Sequence, residues 1–210
     1  MTPLAVIVPV KSSGSKSRLS PALSAEQRRA FAGSLLRGVI QTVARAGLAR
    51  SCMVVSSDDD FLKTAGALGA RPVREGGDSG VNAAVQEGMD ADRDAGEFLV
   101  LPSDLPLLGA ADIRAVLRLR RRGAKVVMSP SGSFDGTNAL LFPRSPTFPL
   151  SFDADSFWNH LAGAARLRLP VGICARGGIT FDVDSPADLR RLAASRARTE
   201  SAAIARGAPP

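Results

Sequence analysis

Two nearly continuous apolar runs, "LAVIVPV" at residues 4–10 and "FLVLP" at 98–102, constrain the fold more than any other feature of the chain. A strand with one wet face alternates apolar and polar residues. A run without alternation belongs to a strand buried on both faces, and such strands sit in parallel sheets covered by helices. Further strands are expected at 52–56 (CMVVS), 125–129 (KVVMS), 138–142 (NALLF) and 179–183 (ITFDV). Helical patterns separate them. "SAEQRRAFAGSLLRGVIQTVARAG" opens with Ser24 and Gln27 in capping-box spacing, lines up Phe31, Leu35, Val39 and Val43, and meets Gly47 where a helix should stop. Other helices are expected near 58–69, 80–93, 110–122, 155–164 and 186–197. Strands alternating with helices predict a mostly parallel α/β sheet with right-handed crossovers.

One stretch breaks the rhythm. Residues 130–157 are rich in Pro, Ser and Gly and carry Phe134, Phe142, Phe148 and Phe152. A long segment of this kind usually carries function, so it reads as a lid-like insertion covering the open end of the sheet within one domain spanning 1–198. Residues 199–210, "TESAAIARGAPP", are expected to form a flexible tail.

Composition narrows the function classes. The 210 residues are 45% hydrophobic and 22% charged, a globular balance, and no apolar run reaches the length of a bilayer span. The apolar start lacks the charged leader and small-residue cleavage site of a signal peptide, so a cytoplasmic protein is expected. Cys52 and Cys174 are too few for a disulfide framework or a zinc site. A formal charge of +7 suits either nucleic acid or small polyanions such as nucleoside triphosphates. The chain has no Tyr and no aromatic platform beside its basic clusters, "RAVLRLRRRGAK" around 114–125 and the Arg-rich C-terminus, which weighs against RNA.

Ligands of open α/β sheets bind outside the carboxyl ends of the strands, and three features fall there. The first is "VIVPVKSSGSKSRLS", where a strand runs into a loop holding Lys11, Lys16 and Arg18 among small residues. Backbone N–H groups in such loops approach phosphates closely and the cations neutralise them. The spacing is neither that of a P-loop nor that of a dinucleotide fingerprint. The second is "FLVLPSDLPLLG", with Asp104 fenced between Pro102 and Pro106 directly after a buried strand. The third is "ITFDVDSPADLRRL". Its Asp182 and Asp184, two apart on an extended chain, aim at one spot. Either Asp184 or Ser185 can cap the following helix, which explains one acid and leaves the other. A divalent cation between Asp104 and this pair relieves their repulsion, and Mg²⁺ takes one or two carboxylates with substrate phosphates. His160 is the only histidine, so a Ser-His-Asp or Cys-His centre is not expected. It reads as packing or capping, or as a contact to a substrate carboxylate. Trp158 reads as core or lid packing.

"PVK…KSRLS", "GVNAAVQEG", "PSDLPLL", "DGTNALL", "SFWNHL" and "FDVDSPADL" occur in that order between residues 4 and 192. Together they resemble the 2-phospholactate guanylyltransferase family, including its phosphoenolpyruvate and 3-phosphoglycerate variants, which makes the guanylylated three-carbon precursor of coenzyme F-420. "DVDSPADL" is shared by many nucleotidyltransferases, whereas "DGTNALL" followed by "SF…H" is particular to this family. The resemblance implies a three-layer, GT-A-like and Rossmann-like nucleotidyltransferase domain. It implies that Asp104, Asp182 and Asp184 bind Mg²⁺ or Mn²⁺ and that Lys11, Lys16 and Arg18 handle the triphosphate of GTP, with Lys16 catalytic alongside the aspartates. It further implies that Asn82 contacts the nucleotide and that Thr137 and Ser156 hold the phosphorylated acid. Phe152-Asp153-Ala154-Asp155 stands where relatives often carry glycine shortly before that serine, which adds acid beside an anionic acceptor.

The expected reaction moves GMP from GTP to 2-phospholactate, phosphoenolpyruvate or 3-phosphoglycerate and releases pyrophosphate. The expected partners are these small molecules, without nucleic acid or membrane; a homodimer is compatible with the reading. The rivals are a nucleotidyltransferase with a molybdopterin or sugar-phosphate acceptor, and a basic nucleotide- or RNA-binding module without turnover. The second rival requires binding that weakens steeply with salt and needs no metal.

Overall fold

The computed structural model describes residues 2–11, 16–77 and 80–208. In chain order the main elements are β1 (Leu4–Pro9), α1 (Ala25–Arg45), β2 (Cys52–Ser56), α2 (Asp59–Ala67), β3 (Arg71–Arg74), α3 (Val81–Ala91) and β4 (Glu97–Val100). They continue with α4 (Ala110–Arg121), β5 (Val126–Pro130), β6 (Thr137–Pro143), α5 (Ser156–Arg166), β7 (Val171–Ile173), α6 (Pro186–Ala194) and α7 (Glu200–Arg206). The sheet runs β3-β2-β1-β4-β6-β5-β7, and β6 alone is antiparallel to its neighbours β4 and β5.

The unalternating strand β1 is central and buried on both faces. Its even positions, Val6 and Val8, pack with Val39 of α1, Phe61 of α2 and Ile113 of α4. Its odd positions, Ala5 and Ile7, pack with Val85 of α3 and Phe157 of α5. Period-two alternation therefore feeds two helical layers from one strand. The result is a three-layer α/β/α sandwich. The capping box at Ser24 and Gln27 forms as expected and starts α1.

Several elements differ from the sequence reading. Residues 179–183 form no strand. Ile179 and Val183 are fully buried and Phe181 is partly buried, so the apolar pattern is real. The segment begins as a turn, in which Ile179 and Thr180 N–H both donate to the Arg176 carbonyl, and further on Val183 N–H donates to the Asp104 carbonyl at 3.3 Å. Two unexpected strands, β3 and β7, form the sheet edges. β3 (RPVR) is mostly exposed, and β7 (VGI) is three residues long, so neither carries an apolar signature. Residues 200–206, expected within a loose tail, form α7. Thr199 caps it, Ala202 is fully buried against α1 and α6, and Glu200 pairs with Arg37. Within 130–157, residues 137–143 are an interior strand rather than a covering flap. Phe142 and Phe148 are core, Phe152 is half-buried and Phe134 is 48% exposed. Among the described residues no helix is long and apolar enough to cross a membrane.

Because β6 runs against β4, its first residues, Thr137 and Asn138, lie at the same rim as the carboxyl ends of β1 and β4. That antiparallel strand is what brings the "DGTNALL" segment to the first loop and to Asp104.

Candidate active site

A cleft of about 610 Å³ opens along this rim. Lys11, Lys16, Arg18, Asp104, Thr137, Asn138, Ser156, Asp182 and Asp184 line it, together with Asp135, Asp153 and Asp155. Residues contributed from positions 11 to 184 of the chain thus meet in one hollow. Residues 12–15, the small-residue part of the first loop, lie outside the described residues.

Lys16 is the electrostatic centre. Its ammonium donates to Asp104 Oδ2 at 3.0 Å, to Asp184 Oδ1 at 2.8 Å and to the Val183 carbonyl at 2.7 Å. These bonds use all the donors an ammonium has. Burial alone would lower the Lys16 pKa; the charges of Asp104 and Asp184, and the hydrogen bonds to them, outweigh it and raise it above the ordinary lysine range. The positive charge between the aspartates is therefore this ammonium. Lys11 and Arg18 are exposed on the cleft wall.

Local structure explains why Asp184 is available. Ser185, not Asp184, caps α6: its Oγ accepts from Asp188 N–H, Pro186 occupies the first turn, and Asp188 accepts from Ser185 N–H in return. Asp184 is left to face Lys16. Asp182 turns to Asn138, whose Nδ2 donates to its Oδ1 at 3.0 Å. Burial raises the Asp182 carboxyl above the usual carboxylate range; the Asn138 hydrogen bond works against that rise, and the nearby charges of Asp104 and Asp184 add to it. Asn138 is a buried polar residue inside "DGTNALL", and its burial at a strand start is the signal that reveals its role.

Among the described residues, no three Asp, Glu, His or Cys side chains are grouped closely enough to hold a metal ion as they stand. Lys16 stands between Asp104 and Asp184, donating to both. The donor chemistry nevertheless fits a hard divalent cation, which prefers carboxylate oxygens.

The residues expected to hold the acceptor form a second group. Thr137 and Ser156 are both buried at the cleft floor, with their hydroxyl oxygens 3.1 Å apart. Asp135 organises the adjoining turn: Ser131 and Ser133 hydroxyls and Gly136 N–H all donate to it. The two hydroxyl hydrogen bonds are the main reason its carboxyl is held down at about 2. Asn82 does not line the cleft. Its Oδ1 accepts from Phe152 N–H at 2.8 Å and its Nδ2 donates to Asp153 at 3.0 Å, so it latches α3 to the loop before α5. Asp155 sits at φ 56°, in the left-handed region that Asp tolerates better than most residues. Trp158 is 54% exposed, meeting Phe157 edge-on rather than joining the core.

The family model described as "Guanylyl transferase CofC like" matches residues 4–203. The chain belongs to that family. A phosphoenolpyruvate guanylyltransferase of Rubrobacter xylanophilus is 42% identical over 192 residues, covering 90% of this chain and 93% of the relative. A 2-phospho-L-lactate guanylyltransferase of Methanothermobacter thermautotrophicus is 33% identical, covering 89% of this chain and 82% of its own. Among solved structures, a protein assigned as a nucleotide-diphospho-sugar transferase from Desulfovibrio desulfuricans G20 superposes with a TM-score of 0.75. It is 17% identical, covering 99% of this chain and 95% of that one, and shows the fold alone. The chain is thus a CofC-like, nucleotidyltransferase-type enzyme.

Proposed function

We propose that the cleft transfers GMP from GTP to the phosphate of a small phosphorylated three-carbon acid. The observation that carries this reading is the meeting, in one hollow, of Asp104, Asp182, Asp184 and three cationic side chains with the buried Thr137–Ser156 pair. An oxygen of the acceptor phosphate attacks the α-phosphorus of GTP in line. The bond from that phosphorus to the oxygen bridging the β-phosphate breaks, and pyrophosphate leaves with the electron pair. The attacking oxygen is already anionic, so no general base is needed, in keeping with a cleft whose lining includes no histidine. The remaining work is to bring two polyanions together and offset the charge that builds on the leaving group.

Lys11 and Arg18, exposed on the wall, meet the triphosphate as it enters, and Lys16 supports the phosphates from deeper in the cleft. Asp104, Asp182 and Asp184 are the residues that would hold Mg²⁺, which supplies charge neutralisation at the reacting phosphates. The Thr137–Ser156 pair donates a hydrogen bond to the acceptor and fixes its approach. Asn82 acts on the acceptor side through its latch rather than on guanine. Phosphoenolpyruvate is the expected acceptor, in line with the 42% identity to a guanylyltransferase named for it. The setting is the cytoplasmic biosynthesis of coenzyme F-420.

Purified protein with GTP, Mg²⁺ and, in turn, phosphoenolpyruvate, 2-phospholactate and 3-phosphoglycerate provides the test. Expected are stoichiometric pyrophosphate and a product whose mass is the acid plus GMP. Equal use of CTP, or product only with a sugar phosphate, would overturn the reading in favour of another acceptor class.

A further inference from the structure

His160 is fully buried on α5, its ring 4.7 Å from that of Phe152 and 5.9 Å from that of Phe148 by centroid. It does not line the cleft, so it does not touch a substrate carboxylate. Both ring nitrogens are nonetheless committed. The Ser151 backbone N–H donates to Nε2 at 3.0 Å, and Nδ1 lies 3.0 Å from Thr137 Oγ1. A backbone N–H only donates, so Nε2 carries the lone pair and the ring proton of the neutral imidazole is on Nδ1. Nδ1–H therefore donates to Thr137.

Counting protons gives the consequence. The Thr137 and Ser156 hydroxyls share one contact at 3.1 Å, and that contact uses one of their two hydrogens. With Ser156 donating, Thr137 Oγ1 accepts twice and keeps its own hydrogen; with the direction reversed, Ser156 keeps one. Histidine supplies a hydrogen and takes none, so in both arrangements one hydroxyl hydrogen is left, on a residue that lines the cleft. An acceptor-type partner in place of Nδ1–H would consume that hydrogen and present lone pairs to an incoming anion.

We propose that His160 is a positioning residue for the acceptor substrate, locking the Thr137–Ser156 pair as a net hydrogen-bond donor toward an oxyanion. This rests on the reading that Thr137 and Ser156 hold the acceptor. Burial depresses the His160 pKa to about 4, so the ring works by its fixed tautomer rather than by its charge. The link also ties helix α5 to the backbone at Ser151, one residue before the Asn82 latch, so the loop and the hydroxyl pair are set together.

The test uses steady-state kinetics of the full chain with GTP and phosphoenolpyruvate. In His160→Asn the amide nitrogen can reach the Nδ1 position and keep the donor. In His160→Gln the amide oxygen can reach the Nε2 position, which keeps the acceptor for Ser151 but loses the donor. His160→Phe keeps neither. Expected is a rise of about tenfold in the KM for phosphoenolpyruvate in the Gln and Phe variants, from loss of one buried hydrogen bond. The KM for GTP stays within twofold, and the Asn variant stays near the parent. Thr137→Val combined with His160→Phe should be no worse than Thr137→Val alone, because histidine acts through that hydroxyl. The inference is overturned if the Asn and Gln variants behave alike, if the KM for GTP rises in parallel, or if the double substitution is additive. The Asn-versus-Gln comparison stands even where the Phe variant does not fold. A Thr137→Val protein with an unchanged KM for phosphoenolpyruvate would instead remove the acceptor-site reading beneath it.

Discussion

Replacing Lys16 by methionine keeps most of the side-chain volume and removes an ammonium that holds three acceptors. Side-chain exposure is 11% for Lys16, 24% for Asp104 and 48% for Asp184. Removing one partner of a deeply buried pair costs ~3–5 kcal/mol, because the other charge is stranded. Here water reaches both carboxylates, Asp184 most of all, and screening reduces the Coulombic part. A loss of about 2 kcal/mol follows, which in a chain of this length lowers the melting midpoint by about 4–8 °C. The folded pKa of Lys16 lies above its unfolded value of about 10.4. Its contribution is therefore fully present below that pH and is lost only as pH rises through the still higher folded value. On the lysine's account the midpoint difference is constant from neutral pH to about 10. Added Mg²⁺ should stabilise the variant more than the parent, since no ammonium then competes for Asp104 and Asp184. Pyrophosphate release from GTP should fall by about 10²–10³-fold, as expected for loss of one preorganised donor to developing charge. Differential scanning fluorimetry across pH and a coupled pyrophosphate assay measure both arms. An unchanged midpoint together with full turnover would refute the electrostatic account of the cleft.

Asp182→Asn should abolish pyrophosphate release without lowering the melting midpoint at pH 7. It removes a half-buried charge crowded by Asp104 and Asp184 while leaving an oxygen for Asn138; a midpoint lower by more than about 5 °C, or ~2 kcal/mol, would contradict this. Asn82→Ala should raise the KM for the acceptor and speed hydrogen exchange at residues 151–155, leaving the KM for GTP little changed. A selective rise in the KM for GTP would restore a nucleotide role for Asn82. The sole histidine contributes a slope on the acid side. His160 is neutral when folded down to about pH 4 but binds a proton in the unfolded chain below about 6.5, so the fold loses stability as pH falls through that window. The total is about 3 kcal/mol, and urea unfolding of His160→Asn should lack that slope. Truncation after residue 198 should destabilise by on the order of 3 kcal/mol through lost burial against α1 and α6, whereas Glu200→Ala, an exposed pair, costs under about 1 kcal/mol.

Strong one-dimensional patterns carried much of this protein on their own. The unalternating runs at 4–10 and 98–102 specify buried strands whatever surrounds them, and the Ser24–Gln27 box fixes a helix start through contacts three residues apart. The acids at 104, 182 and 184 were marked as candidates by the rigid turns and the helix cap beside them, whereas the hydroxyls at 137 and 156 carry no such local signature and were marked only by the family resemblance. Elements stabilised only by distant partners were not legible. β3 and β7 exist because a sheet offers them an edge, α7 because α1 and α6 leave an apolar surface to cover, and 179–183 fails as a strand because the rim gives it no ladder. The cleft's decisive contacts are of the same kind. That Lys16 fills the space between Asp104 and Asp184, that Asn82 turns to Phe152 and Asp153, and that His160 reaches Thr137 depend on groups up to 168 residues apart. Local sequence sets which conformations are cheap for a few residues. Which charge faces which, and which proton is left to offer, is settled only when remote segments are packed into one electrostatic environment.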